Sequence, residues 1–503
     1  MFNKYLLVIA AIFLQAFGSF CQSNKPKENN LINKSSYTVL GTMEYWNNGI
    51  DQFTPLFHHS GTPKRIACVR CVNNYRLTSE ESTFLDTLEY RTFLYFIGES
   101  NRANGLVKDR STKDSPASIA AVGFALPAYA VGVEHRWIKR EEAAERTLNT
   151  LNFFLNSKQS PDAVSTGYKG FYYHFLDMKT GLRYWNCELS SIDTGLLLAG
   201  IIFSRQYFNK NSKIEKEIRK KANAILEKVD WKFFTLPGDS KFPYDIAMGW
   251  EPEHGMSNDG WSGYNEAQIM FVIAAGDGME NAAKGYETWT KTYKWEEPYK
   301  GLAHVVFPPL FGHQFTNLFI DLRGIADKYM LAKGIDYFEN SRRATLTQRL
   351  YAIENPHGWK GYDSLNWGIS ACDGPGDSYN FGDKKFIGYA GRGTSGPQYN
   401  YFDDGTIAPY AAGSSIVFAP EVVIPTLMNF YDKYKDKGIW GEYGFVDAFN
   451  LTANWFDKDD LGIDEGPLVL MLENFRSGLI WKYMMRDPVI KKGLKVLGFK
   501  KVK

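Results

Sequence analysis

From about residue 81 to the C-terminus the apolar residues recur every three to four positions, and this regularity restricts the chain to a helical architecture. Ala144, Leu148, Leu151 and Leu155 form one stripe, and Leu189, Ile192, Leu196, Ala199 and Phe203 form another. The same reading predicts helices over 81–97, 117–134, 140–156, 188–208, 213–229, 263–275, 280–293, 312–333, 337–354, 415–435, 446–456 and 465–484. No heptads and no internal repeat accompany them. Such a series, taken as antiparallel pairs, fits an all-α (α/α)6 barrel, a toroid with an inner and an outer layer; a two-domain helical array is the alternative.

Between the periodic segments lie long stretches rich in Gly, Trp, Tyr and Asp, chiefly 230–262, 294–311 and 356–413. Long loops on a compact helical body tend to carry function. Aromatic residues make up 16% of the 503, more than a core rich in Leu, Ile and Val needs, so many should line a surface or cleft where Trp and Tyr can stack on sugar faces.

The first residues read as an export signal: Lys4 supplies the positive start, and Leu6 to Phe17 is an apolar run too short to span a bilayer. The expected organisation is a signal peptide over 1–21, a polar tether over 22–40, an N-terminal extension over 41–80 and one catalytic barrel over 81–503. The mature chain should have no transmembrane segment and should reach the periplasm or the outer-membrane surface. Cys21 offers a lipid anchor, but Phe20 stands where lipoprotein processing needs a small residue, and ordinary cleavage near Ser19 to Gln22 is the other outcome.

Lys and Arg number 58 against 56 Asp and Glu. That balance provides no field for nucleic acid or an anionic membrane. Beyond Cys21 only Cys68, Cys71, Cys187 and Cys372 remain, too scattered for a disulfide scaffold, so the core must hold the fold. The Cys68-Val-Arg-Cys71 pair lacks a second pair and a βαβ setting, and reads as a local disulfide or two free thiols. Gly391-Arg-Gly-Thr-Ser-Gly matches a dinucleotide fingerprint without the strand and helix it needs. No HExxH or GxSxG motif supports a zinc enzyme or an esterase, and no cofactor or metal is expected.

What remains is carboxyl chemistry. Glycosidic hydrolysis needs one protonated carboxyl for the leaving oxygen and one carboxylate for water or the anomeric carbon. Glu266, in Trp261-Ser-Gly-Tyr-Asn-Glu-Ala, has Ile269, Met270 and Ile273 at helical spacing, an apolar face that would raise its pKa toward that of a general acid; the other reading is a charge complementing a helix N-terminus. Asp193 follows Ser190-Ser-Ile on an otherwise apolar helix side, as a buried, satisfied Asp or as a contact to substrate or water. Glu188 stands one turn earlier. Glu251, Glu253, Asp373 and Glu465 are loop carboxylates that could act directly or merely cap turns. Trp185, Trp250, Trp261, Tyr264, Tyr399, Tyr401 and Trp440 are candidates for sugar stacking, and Arg392 and His313 for hydrogen bonds to hydroxyls, each with a rival role as core filler or loop pin.

Several segments in order, Gly105-Leu-Val-Lys-Asp-Arg, Ser190-Ser-Ile-Asp-Thr-Gly, Gly249-Trp-Glu-Pro, Tyr264-Asn-Glu-Ala, Phe307-Pro-Pro-Leu-Phe, Ala371-Cys-Asp-Gly-Pro and Asp464-Glu-Gly-Pro, resemble the bacterial glucoamylase-like proteins, and among them glycoside hydrolase family 144. The resemblance runs from about 81 to the end. It implies an (α/α)6 barrel that hydrolyses β-1,2-linked glucan or gluco-oligosaccharides without a metal, by inversion, with Glu266 and Asp193 in the cleft. The base is left among Asp193, Glu188 and a loop carboxylate. Other glucosidases and a non-catalytic glycan-binding protein are the competing functions, and a monomer is expected.

Overall fold

The computed structural model describes residues 75–376, 380–381, 384–398 and 400–502. The export signal, the tether, most of the 41–80 extension with Cys68 and Cys71, and Tyr399 lie outside the described residues.

Helices come in pairs whose members differ in burial. In the first, α1 (Ser79–Gly98) buries one face, whereas α2 (Ile119–Glu134) is enclosed from Ile119 to Gly132. The pattern repeats in α3 (Arg140–Asn156) and α4 (Ser191–Tyr207), in α5 (Lys213–Leu226) and α6 (Gln268–Asp277), in α7 (Ala282–Thr290) and α8 (Phe311–Phe319), in α9 (Tyr337–Glu354) and α10 (Pro409–Gly413), and in α11 (Pro420–Tyr434) and α12 (Gly462–Arg476). Amphipathic odd-numbered helices can face water only from an outer layer, and the even-numbered ones, buried nearly all round, form the inner one.

Each inner helix packs on the next from α2 through α4 and α6 to α8, and from α10 through α12 back to α2. Gln314 of α8 closes the circuit by donating to the Ala411 carbonyl of α10 (2.7 Å) and to Ser415 Oγ (2.9 Å). The molecule is an (α/α)6 barrel. Backbones approach closely where α2 crosses α4: a Cβ on Gly200 would lie 2.0 Å from the Gly123 carbonyl oxygen, so both positions require glycine.

Connection lengths give the barrel two unlike ends. The long segments 99–118, 157–190, 227–267, 291–310, 355–408 and 435–461 all lead into N-termini of inner helices, while short ones such as 135–139, 208–212 and 278–281 leave their C-termini. One end therefore gathers the loops and the free N–H groups of the inner ring, a field that favours carboxylates. The other end is covered by α13 (Leu479–Met484) and α14 (Pro488–Val496), where Trp481 Nε1 and Asn474 Nδ2 satisfy the last carbonyls of α8 at Asn317 (2.7 Å) and Leu318 (2.8 Å).

An antiparallel five-stranded sheet knits two of the loops together. Its strands β1 (Gly167–Tyr168), β2 (Phe171–Tyr173), β3 (Leu189–Ser190), β4 (Gly249–Glu251) and β5 (Gly255–Met256) lie side by side in that order, with Leu189 opposite both Tyr173 and Trp250. Central β3 runs straight into α4.

The expected helices need four corrections. The 312–333 segment breaks at Ile320, which is extended, and resumes as a short helix over Lys328–Lys333. Residues 446–456 form a hairpin of Phe449–Asn450 and Trp455–Phe456, closed by stacked Phe449 and Phe456 rings 5.8 Å apart. The 465–484 segment divides at Gly478, whose φ of +66° ends one helix and starts another. Inner helix α10, only five residues long, is too short to show a period. No helix of the described residues is long and apolar enough to cross a membrane.

Candidate active site

The loop end of the barrel brings together carboxyl groups that are far apart in sequence. At the start of α4, Ser190 caps the helix by accepting from the Asp193 N–H (3.1 Å), and its hydroxyl donates to the Asp193 carboxylate. His174, the residue after β2, is set by β2–β3 pairing opposite this turn. Its Nδ1 lies 3.0 Å from Glu188 Oε1 and its Nε2 lies 3.6 Å from Asp193 Oδ1. Burial opposes a charge on the ring, but Asp193 and Glu188 outweigh it and push the His174 pKa up to about 9. Burial also raises Asp193, against the pull of His174, while for Glu188 the burial penalty is overcome by His174 and the group falls below its usual range.

Glu266 occupies the turn that leads into α6, one element round the ring from Asp193. Trp261 Nε1 donates to Ser191 Oγ (3.1 Å), tying this loop to α4, and Tyr264 stacks on Tyr337 of α9 with centroids 5.5 Å apart. The Glu266 carbonyl accepts from Thr316 Oγ1 of α8 (3.2 Å), so the backbone is held from both sides. Its carboxyl Oε2 is buried without a hydrogen bond. Burial, with the Asp193 charge adding to it, pushes the Glu266 pKa up to about 7. A carboxyl that keeps its proton near neutrality is what a general acid requires.

Counted round the inner ring, α12 stands three places from α6 and so faces it. The start of α12 carries Asp464 and Glu465, and the loop before it supplies Asp447. Asp447 Oδ2 accepts from the Asp373 N–H (2.7 Å), and the Asp373 carboxylate pairs with Arg110 Nη1 (2.7 Å). Burial raises Asp447 well above the carboxylate range, with Asp464 beside it adding repulsion, and burial pushes Asp464 up to about 8. Asp447 Oδ1 and Asp464 Oδ2 are both buried without a hydrogen bond. Glu465 is raised by burial and by Asp460.

Other residues singled out by sequence take different places. Trp185 is 46% exposed beside Phe175, whose ring stacks on His174 with centroids 4.0 Å apart, so an open aromatic face adjoins the carboxyl cluster. Trp185→Ala is expected to raise KM about fivefold with kcat nearly unchanged, since one stacking face is worth about 1 kcal/mol; steady-state kinetics on oligosaccharides checks this. Trp250 is half-buried against Tyr168 and Phe233, and Glu253 pairs with Arg183 Nη1 at 2.8 Å.

Several stacking and hydrogen-bonding expectations are overturned by burial. Arg392 is fully enclosed and spends its donors on Asp404 and three carbonyls, leaving none for a hydroxyl. His313 is buried with Nε2 toward the Phe307 carbonyl (3.1 Å), and burial with His304 nearby pushes its pKa down to about 3. Trp261 and Tyr264 are buried as loop pins. Trp440 packs outside the ring against Phe84 of α1 and Tyr431 of α11. The stacking expectation for Tyr401 is not among those overturned; the residue falls in the short strand Asn400–Phe402.

Sequence reasoning passed over His174, Asp109, Arg110 and Asp447. Among the described residues three convergent acidic or histidine groups stand out, His174–Glu188–Asp193, Asp373–Asp447–Asp457 and, at the covered end, Glu89–His135–Glu473. Each has a cation of the chain within it or against it: His174 itself, Arg110 on Asp373, and Arg476 Nε at 2.8 Å from Glu89.

A family model described as "Putative glucoamylase" matches residues 258–488. A solved structure from Bacteroides uniformis carrying the same description is 31% identical, with a TM-score of 0.71 over 85% of this chain and 99% of that one. The endo-β-1,2-glucanase of Chitinophaga pinensis, solved with sophorotriose and glucose, is 27% identical with a TM-score of 0.71 over 85% and 99% of the two chains. An exo β-1,2-glucooligosaccharide sophorohydrolase of Parabacteroides distasonis is 28% identical over 454 residues, 84% of this chain; the chain spans only 58% of that relative's length.

Proposed function

The chain belongs to the bacterial glucoamylase-like proteins and, within them, to glycoside hydrolase family 144, and from that membership we propose that it hydrolyses β-1,2-linked glucan or its oligosaccharides. The observation that carries the chemistry is Glu266, a buried carboxyl with a pKa of about 7, facing a second set of acid groups across the ring. The support for the linkage is the likeness to relatives that act on β-1,2-glucans.

In the proposed reaction Glu266 gives its proton to the glycosidic oxygen as the bond to the anomeric carbon breaks. Across the ring, burial and its acidic neighbours make Asp447 more basic, and in its ionised form it takes a proton from the attacking water while Asp464 beside it stays protonated. Water delivered from the face opposite the acid inverts the anomeric carbon. The protein acts as a monomer, and the N-terminal signal implies its export to the periplasm or the outer-membrane surface.

Incubation with linear β-1,2-glucan should release sophoro-oligosaccharides or sophorose, with the α-anomer appearing first in the NMR spectrum. An inert protein on this glucan but active on another linkage refutes the substrate, binding without turnover refutes the enzyme, and a β-anomer refutes the inverting route. Asp447→Asn should lower kcat about a hundredfold, the lower end of general-base effects because Asp464 stands ready beside it; an Asp447→Asn protein with wild-type kcat would move the base elsewhere.

A further inference from the structure

His174 has a carboxylate at each ring nitrogen. A neutral imidazole carries one N–H, so it could donate to Glu188 or to Asp193 and would turn a lone pair on the other. At 3.0 Å and 3.6 Å both contacts are favourable together only for the imidazolium. Its surroundings point the same way. From the loop before α2, Asp109 adds a further negative field, smaller than those of Asp193 and Glu188. Arg183 also acts on Glu188, and Asp193 on Glu266. One flat face of the ring is covered by Phe175.

We propose that His174 is a positioning residue of the reaction, an imidazolium clamped between Glu188 and Asp193 that keeps both carboxylates ionised and aligned, so that the free proton of this side of the cleft resides on Glu266. The device solves a problem created by burial. Three carboxyls share one corner of the cleft, Asp193 buried and Glu188 and Glu266 partly so, and without a cation each would compete for the proton that the acid must hold. The imidazolium cancels one negative charge and fixes which two groups stay charged. Asp193 then presents a fixed charge beside the acid, and this charge holds the proton on Glu266. No bond is made or broken at His174, and its proton stays on the ring through turnover.

This assignment rests on the hydrolytic reading above, but one arm of its test does not. Side-chain nitrogen NMR of the wild-type protein, with His174→Gln to assign the signal, should show both ring nitrogens of His174 protonated at neutral pH and their titration only well above it. A neutral His174 at neutral pH overturns the proposal whether or not the protein cleaves any glucan. The kinetic arm uses His174→Gln, which can donate once but carries no charge. Losing the cation raises the pKa of Asp193, so the acid limb of kcat/KM should move up by about one pH unit, with a fall in kcat/KM of up to about tenfold on the acid side of that limb. His174→Lys, which restores a cation without the flat two-sided geometry, should return the acid limb toward its wild-type position. Equal acid limbs in wild type and His174→Gln would overturn the proposal, because a residue that only supports the fold lowers the whole profile without moving its limbs. Should wild type prove inert on β-1,2-glucan while the ring is doubly protonated, the hydrolytic reading fails and the charge assignment stands.

Discussion

Glu266→Gln is expected to lower kcat on β-1,2-glucan about a thousandfold, within the range that a general acid contributes, while KM changes little. The side chain sits in the turn before α6 with its backbone held by Thr316 and its carboxyl Oε2 without a hydrogen bond, so an amide of the same shape can replace it without disturbing packing. What is lost is the proton. Leaving-group chemistry tests this reading directly: a substrate with a good leaving group, which needs no protonation, should suffer far less than the glucan. A wild-type rate in the variant would remove Glu266 from the chemistry.

The same group sets a pH dependence whose sign follows from burial. With its pKa raised to about 7, Glu266 loses its proton as the pH passes that value, and the alkaline limb of kcat/KM should fall there and vanish in the variant. Stability is linked to the same proton. A carboxyl whose folded pKa lies above its unfolded value binds the proton more tightly when folded, so its contribution is complete below the unfolded pKa and is lost as the pH rises through about 7. Glu266→Gln removes that loss, and its denaturation midpoint should exceed that of wild type on the alkaline side and match it on the acid side.

How far the sequence discloses this site depends on the kind of signal each residue leaves. The inner and outer helices announce themselves because burial on one face or all round imposes a period on many residues at once. Glu266 is legible for a related reason: it stands at the edge of such a period, next to aromatic residues, where an acid group is out of place. His174 leaves no such trace, since its meaning comes from the pairing of β2 with β3, two strands too short to show alternation. Asp447 is hidden by a competing pattern. Residues 446–456 carry apolar side chains at helical spacing, but Phe449 and Phe456 stack across a hairpin instead, and the aspartate before the first strand is thereby turned toward Asp464. Facing of α6 and α12 across the ring is a property of closure, which no local window contains.

Arg392 shows the opposite error, and its replacement should have the largest effect on stability. A charged residue in a Gly-rich aromatic loop reads as exposed and ready for a ligand. In the structure it is fully buried, its Nε and Nη2 forming a fork on the two oxygens of Asp404 at 2.8 Å each, with Nη1 donating to the Cys372 carbonyl (2.6 Å) and Nη2 to Ile387 (2.9 Å) and Gly388 (3.0 Å). One guanidinium thus joins three segments of the loop that carries Asp373 toward Asp447. Arg392→Ala should cost about 3–5 kcal/mol in denaturant unfolding, because it strands a buried carboxylate and several carbonyls. Although burial works to raise Asp404, Arg392 holds its carboxyl below the usual range; the pair's stabilisation is present above the unfolded pKa and is lost as the pH falls through the folded one. The variant's deficit should therefore shrink on acidification as the stranded Asp404 takes up a proton. Arg392→Lys keeps the charge but not the fork and should recover only part of the loss. Arg392→Met combined with Asp404→Leu removes both charges and should be markedly more stable than Arg392→Ala alone. A deficit below about 1 kcal/mol in Arg392→Ala, the scale of an exposed pair, would mean that the fork does not hold the loop.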